Sequence, residues 1–340
     1  MMAQVRVAIN GFGRIGRSAA KILLNKTEEA VLVAVNDLTD DKTLAHLFKY
    51  DSNYGIYQGE VSGAESGEYL LINGQRIKTF AEKDPAKLPW KKLDIDVVLE
   101  CTGVFTEKSA ASAHLEAGAK QVVVSAPPKG AMSTHIVSIN EDEIGDERVI
   151  SNASCTTNCI APVAAVIHRE FGIVKATMTT IHSFTADQNL QDGPHKDLRR
   201  ARSAAVNIVP TTTGAAISTT EVIPELEGLF DGLALRVPTA VGSLADFTIL
   251  TKKKVEVSDV NNAFRHAKDE SRFKGILAVT DEPIVSTDII GRSESAIVDL
   301  SLTKVVDGDL IKVIAWYDNE WGYSTRLVEM AISSASKRIS

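Results

Sequence analysis

The sequence predicts an α/β protein of two domains, in which a doubly wound parallel sheet precedes an α+β domain with a mixed or antiparallel sheet. The first 150 of its 340 residues alternate short β-branched runs with helical patterns, which is typical of a parallel sheet covered on both faces. Longer, partly alternating runs follow residue 155, which favours antiparallel or mixed pairing. The chain is also longer than a typical domain with a single hydrophobic core, which favours two domains.

Each element is predicted from its own run of residues. Strands are expected at 5–10, 31–36, 96–100, 121–127 and 147–152, with helices at 14–24 and 109–118. A helix over 160–171 follows, and Pro162 means that it either begins after Cys155 or is kinked. Further strands are expected at 175–184, 232–240, 244–253, 296–308 and 310–319, before an amphipathic helix over 319–339. We therefore expect a first domain over 1–154, completed by the C-terminal helix 320–340, and a second domain over 155–319.

Composition and charge argue against several classes of protein. The net charge of −7 does not favour nucleic-acid binding, although the run HKDLRRAR at 195–202 is basic. Cys101, Cys155 and Cys159 form an odd set in a long chain, unlike the disulfide framework of a small secreted domain. The sequence contains no apolar run of the ~18–20 residues that a membrane span needs, and no signal-peptide pattern. We expect a cytoplasmic protein that binds neither nucleic acid nor membranes.

A glycine-rich loop and a later aspartate predict a dinucleotide site. In NGFGRIGR, Gly11, Gly13 and Gly16 have G-x-G-x-x-G spacing between a predicted strand and a predicted helix, where the helix N-terminus favours a pyrophosphate. Asp37 ends the second strand, 21 residues after Gly16, where a carboxylate can bind a ribose diol and repel a 2′-phosphate. An ordinary strand–turn–helix with a surface aspartate is the alternative. Together the two features predict a Rossmann-type first domain that binds NAD.

The run SNASCTTNC at 151–159 surrounds Cys155 with small hydroxyl and amide side chains. A zinc site would need a second Cys pair or a nearby His pair, which the sequence lacks, so no metal is predicted. A buried structural cysteine is a second alternative, and it suits Cys101 and Cys159 better. Cys155 precedes a helical pattern, and a helix N-terminus lowers a thiol pKa. His182 ends a predicted strand and is a candidate base for this thiol, with a structural histidine as the alternative.

Several further motifs accompany the cysteine motif in a fixed order: HSFTADQ, HKDLRRAR, TTTGAA, RVPT and WYDNEWGYS. With the glycine loop, they make nearly the whole chain resemble the phosphorylating, glycolytic glyceraldehyde-3-phosphate dehydrogenases. The resemblance implies that Cys155 is the nucleophile and His182 its base. Glyceraldehyde 3-phosphate would be oxidised with NAD and inorganic phosphate to 1,3-bisphosphoglycerate, through a thiohemiacetal and an acyl thioester. It also implies a homotetramer.

Erythrose-4-phosphate dehydrogenase is the closest alternative function, and a non-catalytic NAD-binding protein is an alternative of another class.

The same resemblance implies particular binding residues. Inorganic phosphate would be bound by Ser154, Thr156, Thr213 and Gly214, and the phosphate of substrate or product by Thr185, Arg200 and Arg236. NAD would be bound by Gly11, Gly13, Arg14, Ile15, Gly16, Asp37, Lys83, Ser125 and Asn319. Hydroxyls and backbone N–H groups orient a phosphate, while arginines supply charge and bidentate geometry. We therefore interpret the basic run 195–202 as part of an anion site.

Overall fold

The structure is a computed structural model that describes residues 4–65 and 67–339. It divides into two compact units, one running up to Ala153 and including the chain from Ser324 onward, the other spanning Ser154–Tyr323. The predicted limits at residues 1 and 340 lie outside the described residues. Each unit combines helices with a sheet, which confirms the predicted α/β class.

The first unit is built on a sheet that is mostly parallel. Its strands are β1 (Val5–Asn10), β2 (Ala30–Asn36), β3 (Tyr50–Asp51), β4 (Gly55–Ile56), β5 (Val61–Gly63), β6 (Tyr69–Ile72), β7 (Gln75–Phe80), β8 (Val97–Glu100), β9 (Gln121–Val124) and β10 (Val149–Ser151). The order in the sheet is β10-β9-β8-β1-β2-β7-β6-β5. Neighbours from β10 to β7 pair in parallel, and β6 and β5 add an antiparallel edge. The predicted parallel sheet is confirmed. Strands β7, β6 and β5 are additions to it, whereas β3 and β4 form a separate two-stranded antiparallel sheet.

The carboxyl ends of the central strands lie side by side. Asn10 at the end of β1 pairs in register with Asn36 at the end of β2 and with Glu100 at the end of β8. The aliphatic residues that precede these ends are almost fully buried, which explains why the strands read as continuous apolar runs. In open α/β sheets ligands bind beyond the carboxyl ends of the strands. This edge of the sheet is therefore the first place to look for a ligand site.

Short helices connect these strands: α1 (Arg14–Leu23), α2 (Asp41–Lys49), α3 (Lys108–Ala111) and α4 (Ala113–Glu116). Helix α1 begins directly after Gly13 and has Lys21 in its last turn, where a positive charge is favoured. The helix predicted over 109–118 is instead divided into α3 and α4 at Ser112. Asp40 caps α2 by accepting a hydrogen bond from the backbone N–H of Thr43 at 2.9 Å.

The second unit contains a mixed sheet that is mostly antiparallel. Its elements are α5 (Cys155–Phe171), β11 (Ile173–Ser183), β12 (Val209–Thr211), α6 (Ala215–Val222), β13 (Phe230–Val237), β14 (Ser243–Thr251), α7 (Val257–Ala267), β15 (Leu277–Thr280), β16 (Ala296–Asp299), β17 (Lys304–Val306), β18 (Leu310–Tyr317) and α8 (Trp321–Ile339), which continues into the first unit. The sheet order is β12-β13-β11-β14-β18-β16-β15, with β17 paired to β18. Two pairs, β11–β13 and β15–β16, are parallel, and the others are antiparallel. This confirms the predicted second sheet.

Two predicted boundaries in this unit are wrong. Helix α5 begins at Cys155 rather than at residue 160, because Ser154 caps it by accepting a hydrogen bond from the backbone N–H of Thr157 at 3.0 Å. Pro162 lies inside this helix, whose buried apolar residues offset the loss of one backbone donor. The strand predicted over 296–308 is divided into β16 and β17 by a 3₁₀ turn at Leu300–Leu302. None of the described helices is both long enough and apolar enough to cross a membrane.

Candidate active site

Cys155 and His182 are in contact within the second unit. Cys155 is the first residue of α5, and His182 is next to the last residue of β11. The Cys155 Sγ lies 3.4 Å from the His182 Nε2. The imidazole is buried, whereas the cysteine is partly exposed. The sequence offers His182 as a candidate base for this thiol, and the contact joins two residues that are 27 positions apart in the chain.

The surroundings of His182 determine which ring nitrogen carries the proton. Its Nδ1 lies 2.7 Å from the carbonyl oxygen of Ser183. A carbonyl oxygen can only accept a hydrogen bond, so Nδ1 carries the proton. The Nε2 is therefore unprotonated in the neutral ring and can accept the thiol proton of Cys155. An Arg236 Nη1 lies 3.0 Å from Nδ1 and 3.1 Å from the same carbonyl oxygen. Since guanidinium and Nδ1–H are both donors, Arg236 bonds to the carbonyl rather than to the ring.

Burial shifts the pKa of both members of this pair. Burial lowers the pKa of His182 to about 3, and the positive charge of Arg236 acts in the same direction, so the imidazole is neutral at neutral pH. Burial also raises the pKa of the Cys155 thiol, while Arg236 and Thr156 act against that rise. The N-terminus of α5 favours the thiolate as well. Because so weak a base cannot hold the thiol proton at rest, we infer that Nε2 accepts it only as the sulfur bonds to an electrophile.

Three predicted anion-binding residues are linked to this pair through hydrogen bonds. Arg236 is paired in register with His182 across the parallel strands β13 and β11. Its Nη1 donates to the Thr185 Oγ1 at 2.9 Å. Thr185 and Arg200 both donate to the carboxylate of Asp187, which thereby joins them. Partial desolvation raises the pKa of Asp187, but the Thr185 hydroxyl and the two arginines outweigh it, and the net pKa is lowered.

The hydroxyl groups next to Cys155 are organised by Tyr317. The Thr156 Oγ1 lies 3.9 Å from the Cys155 Sγ and 3.0 Å from the Tyr317 hydroxyl. That hydroxyl also lies 2.7 Å from the Thr180 Oγ1, and its ring packs edge-on against His182. Burial raises the pKa of Tyr317 well above its usual value, so the hydroxyl stays protonated. The Ser154 Oγ is also close, but its position is determined by capping α5.

Thr213 and Gly214 lie at the start of another helix of the second unit. Gly214 is the N-cap of α6, and the Thr213 Oγ1 accepts a hydrogen bond from the backbone N–H of Ala215 at 3.2 Å. Among the described residues, no hydrogen bond joins either of them to Cys155 or His182. The structure therefore places these two predicted phosphate ligands at a helix N-terminus without linking them to the cysteine pair.

A cavity of about 390 Å³ opens at the carboxyl ends of β1, β2 and β8 in the first unit. Its lining includes Gly11, Gly13, Asp37, Lys83 and Thr102. The volume lies within the usual range for sites that bind small molecules and cofactors. Four residues of this lining are among those predicted to bind NAD, so the cavity is the candidate dinucleotide site.

The three glycines of the loop have different physical roles. Gly11 has a φ of +90°, and a Cβ there would lie 2.7 Å from the backbone nitrogen of Thr102. A Cβ on Gly16 would lie 2.1 Å from the carbonyl oxygen of Gly11. Gly13 is different, because apart from Gly13 itself and its two chain neighbours no protein atom lies within 4 Å of the position that its Cβ would occupy. Protein packing thus explains Gly11 and Gly16, whereas the open space at Gly13 fits the close approach of a pyrophosphate to the start of α1.

Asp37 lies at the edge of the same cavity. Its Oδ2 accepts a hydrogen bond from the backbone N–H of Phe12 at 2.8 Å, and its Oδ1 accepts one from Thr39 at 3.1 Å. The first bond ties the carboxylate to the glycine loop. A carboxylate has further lone pairs after these two bonds, and they can accept from the hydroxyls of a ribose. The residues present therefore fit a bound NAD.

Comparison with known proteins agrees with this geometry. Residues 5–108 match the family model described as glyceraldehyde 3-phosphate dehydrogenase, NAD binding domain, and residues 154–319 match the model of its C-terminal domain. The chain is 52% identical over 332 residues to a glyceraldehyde-3-phosphate dehydrogenase of Mycobacterium tuberculosis (strain ATCC 25618 / H37Rv), covering 96% of this chain and 97% of that protein. The chain belongs to the glyceraldehyde-3-phosphate dehydrogenase family. A Streptomyces coelicolor member of the family is 49% identical over 330 residues, covering 96% and 98%.

Asn319, which the family resemblance assigns to NAD, is held in one orientation within the second unit. Its Oδ1 accepts hydrogen bonds from the Ser183 Oγ, the Ser243 Oγ and the backbone N–H of Gly242, each at 3.0 Å. Three donors on one atom identify it as the amide oxygen. The amide NH₂ group of Asn319 therefore does not bond to these three groups, and its two N–H donors suit a carboxamide oxygen.

The remaining residues that the family resemblance assigns to NAD have varied surroundings. Lys83 is exposed at the cavity wall. Arg14, Ile15 and Ser125 are not among the described residues that line the cavity. The Arg14 Nη1 is 2.8 Å from the Asp51 Oδ2, an ion pair that holds the guanidinium beside the glycine loop.

Sequence reasoning missed Asp187, Tyr317 and Asp51. Asp187 lies two residues after Thr185 in HSFTADQ, and an acidic side chain so close to a predicted phosphate ligand was an available signal. Tyr317 and Asp51 had no such signal, since their roles depend on contacts with distant segments. All three cysteines are free thiols, and the described residues contain no group of three or more metal-ligating side chains.

Proposed function

We propose that this protein converts glyceraldehyde 3-phosphate, NAD and inorganic phosphate to 1,3-bisphosphoglycerate and NADH. The observation that supports this function is the 3.4 Å contact between the Cys155 Sγ and the His182 Nε2. Arg236 beside this pair supplies a positive charge for a phosphorylated substrate. The match of residues 5–108 to the NAD-binding model of the family supports the cofactor.

In the proposed mechanism the Nε2 of His182 acts as a base in two steps. Nε2 accepts the proton of the Cys155 thiol as the sulfur bonds to the aldehyde carbon, and returns it to the oxygen to give a thiohemiacetal. Bound NAD supplies the acceptor for the hydride that leaves this carbon. Nε2 accepts the hydroxyl proton in that step, and an acyl thioester remains on Cys155. A phosphate oxygen then bonds to the acyl carbon, the sulfur leaves as a thiolate, and an acyl phosphate is released.

Two phosphate groups have to be bound for this reaction. We propose Thr185, Arg200 and Arg236 for the phosphate of substrate or product. Arg236 donates to Thr185, and Thr185 and Arg200 both donate to Asp187, so one hydroxyl and two guanidinium groups belong to a single cluster. Inorganic phosphate is assigned to Ser154, Thr156, Thr213 and Gly214. Hydroxyls and a helix N-terminus orient such an anion without neutralising it fully, so phosphate remains nucleophilic.

The decisive assay is NADH formation with glyceraldehyde 3-phosphate, with and without inorganic phosphate, and in parallel with erythrose 4-phosphate. We expect sustained turnover only when phosphate is present, and a higher kcat/KM for the triose. Turnover that is independent of phosphate would contradict the acyl-phosphate product. A higher kcat/KM for erythrose 4-phosphate would favour the alternative substrate.

Asp37→Ala is expected to weaken NAD binding and to reduce the preference for NAD over NADP by about tenfold or more. By its position after β2, the carboxylate would face the 2′-phosphate of a bound NADP, and like charges ~4 Å apart repel by ~4 kcal/mol at an effective dielectric near 20. Asp37→Asn is the matched control, because the asparagine can still accept the hydrogen bond from Phe12 but carries no charge. It should reduce the preference for NAD over NADP while weakening NAD binding less than Asp37→Ala does. The measurement is kcat/KM for both cofactors. An unchanged preference ratio in both variants would show that Asp37 does not select the cofactor.

We also propose that the protein is a cytoplasmic homotetramer. The second unit exposes large apolar side chains on several segments, among them Leu190, Leu198, Val206, Ile208 and Ile217. Leu198, at 82%, is the most exposed of these side chains and is therefore the one chosen for substitution. Light scattering should give four times the monomer mass, and Leu198→Glu should reduce it. A monomeric wild type would contradict the proposal.

A further inference from the structure

A hydrogen-bonded chain of buried polar side chains lies beside the dinucleotide cavity. We call it the strand-end network, and it consists of Trp90, His114, Glu100, Asn10 and Asn36. All five are at least nine-tenths buried, and Asn10 and Asn36 also line the cavity. Buried polar groups are costly unless they are fully bonded, so a chain of five of them requires an explanation.

The protonation of this network can be assigned from its first two links. The Trp90 Nε1–H donates to the His114 Nδ1 at 2.9 Å, and an indole nitrogen can only donate. The proton of the neutral imidazole is therefore on Nε2, which lies 3.1 Å from the Glu100 Oε2 and donates to it. Trp90 thus orients His114 so that its one N–H group faces the carboxylate.

Glu100 is surrounded by donors. Its Oε2 also accepts from the Asn10 Nδ2 at 2.5 Å, and its Oε1 accepts from the backbone N–H of Thr102 at 2.8 Å and from the hydroxyl of that residue. Four donors on two oxygens suit an ionised carboxylate, which only accepts, and charge-assisted bonds compensate its burial.

The network continues from Asn10 across the strand ends. The Asn10 Oδ1 accepts from the Asn36 Nδ2 at 2.7 Å. Asn36 also bonds twice to the backbone of Glu82, donating to its carbonyl oxygen and accepting from its N–H, both at 2.9 Å. The ends of β8, β1 and β2 and the loop after β7 are thereby tied together along one wall of the cavity.

Glu100 also holds the segment that packs against the glycine loop. The backbone nitrogen that it binds, that of Thr102, is the atom that would lie 2.7 Å from a Cβ on Gly11. We propose that Glu100 is a positioning residue for NAD: through the strand-end network it fixes the spacing of Thr102 and Gly11 and so determines dinucleotide affinity. The inference rests on the proposed NAD-dependent function.

Glu100→Gln tests this inference with almost no change in shape. A glutamine presents one NH₂ group to neighbours that are all donors, so either Thr102 or the Asn10–His114 side must move. We expect the Kd for NAD, measured by isothermal titration calorimetry, to rise about tenfold, or ~1.4 kcal/mol. Removing the negative charge of Glu100 from the neighbourhood of the NAD pyrophosphate would by itself tighten NAD binding. Unchanged or tighter binding would therefore overturn the inference.

Asp96→Asn is the matched control for a merely structural effect. Asp96 is buried at the opposite, amino end of β8, where it accepts from the backbone N–H of Arg6 at 2.8 Å and from the Lys120 Nζ at 2.7 Å. We expect a loss of Tm similar to that of Glu100→Gln, with a Kd for NAD within about twofold of wild type. Equal weakening of NAD binding by both variants would assign Glu100 a structural role and overturn the inference.

Trp90→Phe provides a second test if Glu100→Gln does not fold. It removes the single donor that orients His114 while keeping an aromatic ring in the same place. We expect a rise of about threefold in the Kd for NAD, with the rate of Cys155 alkylation unchanged because that residue belongs to the second unit. A folded variant with the wild-type Kd would overturn the inference. A wild-type protein that does not bind NAD would overturn the proposed function and this inference with it.

Discussion

Cys155→Ser is expected to lower NADH formation from glyceraldehyde 3-phosphate by at least ~10³-fold. A serine hydroxyl is far less acidic than a thiol, so His182 cannot generate a useful nucleophile from it across the same contact. The thiohemiacetal and the thioester would both be lost. The measurement is the rate with saturating aldehyde, NAD and phosphate.

NAD binding and folding should survive this substitution, because the dinucleotide cavity is formed by residues of the first unit. Calorimetric titration with NAD and circular dichroism check both points. Cys159→Ala is the matched control, since Cys159 lies one turn further along α5 and is fully buried. It should retain turnover within a few-fold of wild type. Appreciable turnover by Cys155→Ser would rule out the covalent mechanism.

His182→Asn is expected to reduce kcat/KM by about 10²–10⁴-fold, the range for loss of a general base. The variant also separates the two pKa effects described above. Without Nε2 to accept its proton, Cys155 has only its own acidity, and burial raises the pKa of this thiol. Alkylation of Cys155 by iodoacetamide should therefore slow at neutral pH, and its rate should rise only at higher pH than in wild type.

The pH profile of alkylation distinguishes a base from a histidine that only supports the fold. A structural role would change stability but leave the profile where it is. His46→Asn is the matched control, because His46 is exposed on α2 in the first unit and should leave both the profile and turnover unchanged. If His182→Asn retains the wild-type profile and turnover, His182 is not the base.

The boundaries that were predicted wrongly show what local patterns omit. The helix predicted over 160–171 starts too late, because Ser154 caps the helix at Cys155 and the buried apolar residues of α5 offset the cost of Pro162 inside it. The short strands β3 to β6 were not predicted, because strands of two to four residues are stable only through their partners. Long aliphatic runs such as β1 were predicted well, because burial on both faces leaves a continuous apolar pattern in the sequence.

The sequence by itself determined the α/β class, the glycine loop with Asp37, and Cys155 as the candidate nucleophile. These features depend on the order and spacing of neighbouring residues, which the covalent chain sets directly. Only the tertiary structure decided that His182 Nε2 is the free acceptor, that Arg236 stands beside it, and that Glu100 is surrounded by donors. His182 and Arg236 are 54 residues apart, and Glu100 and Asn10 are 90 apart. Strand register brings such pairs to hydrogen-bonding distance, and register follows from packing of the whole sheet rather than from any local pattern.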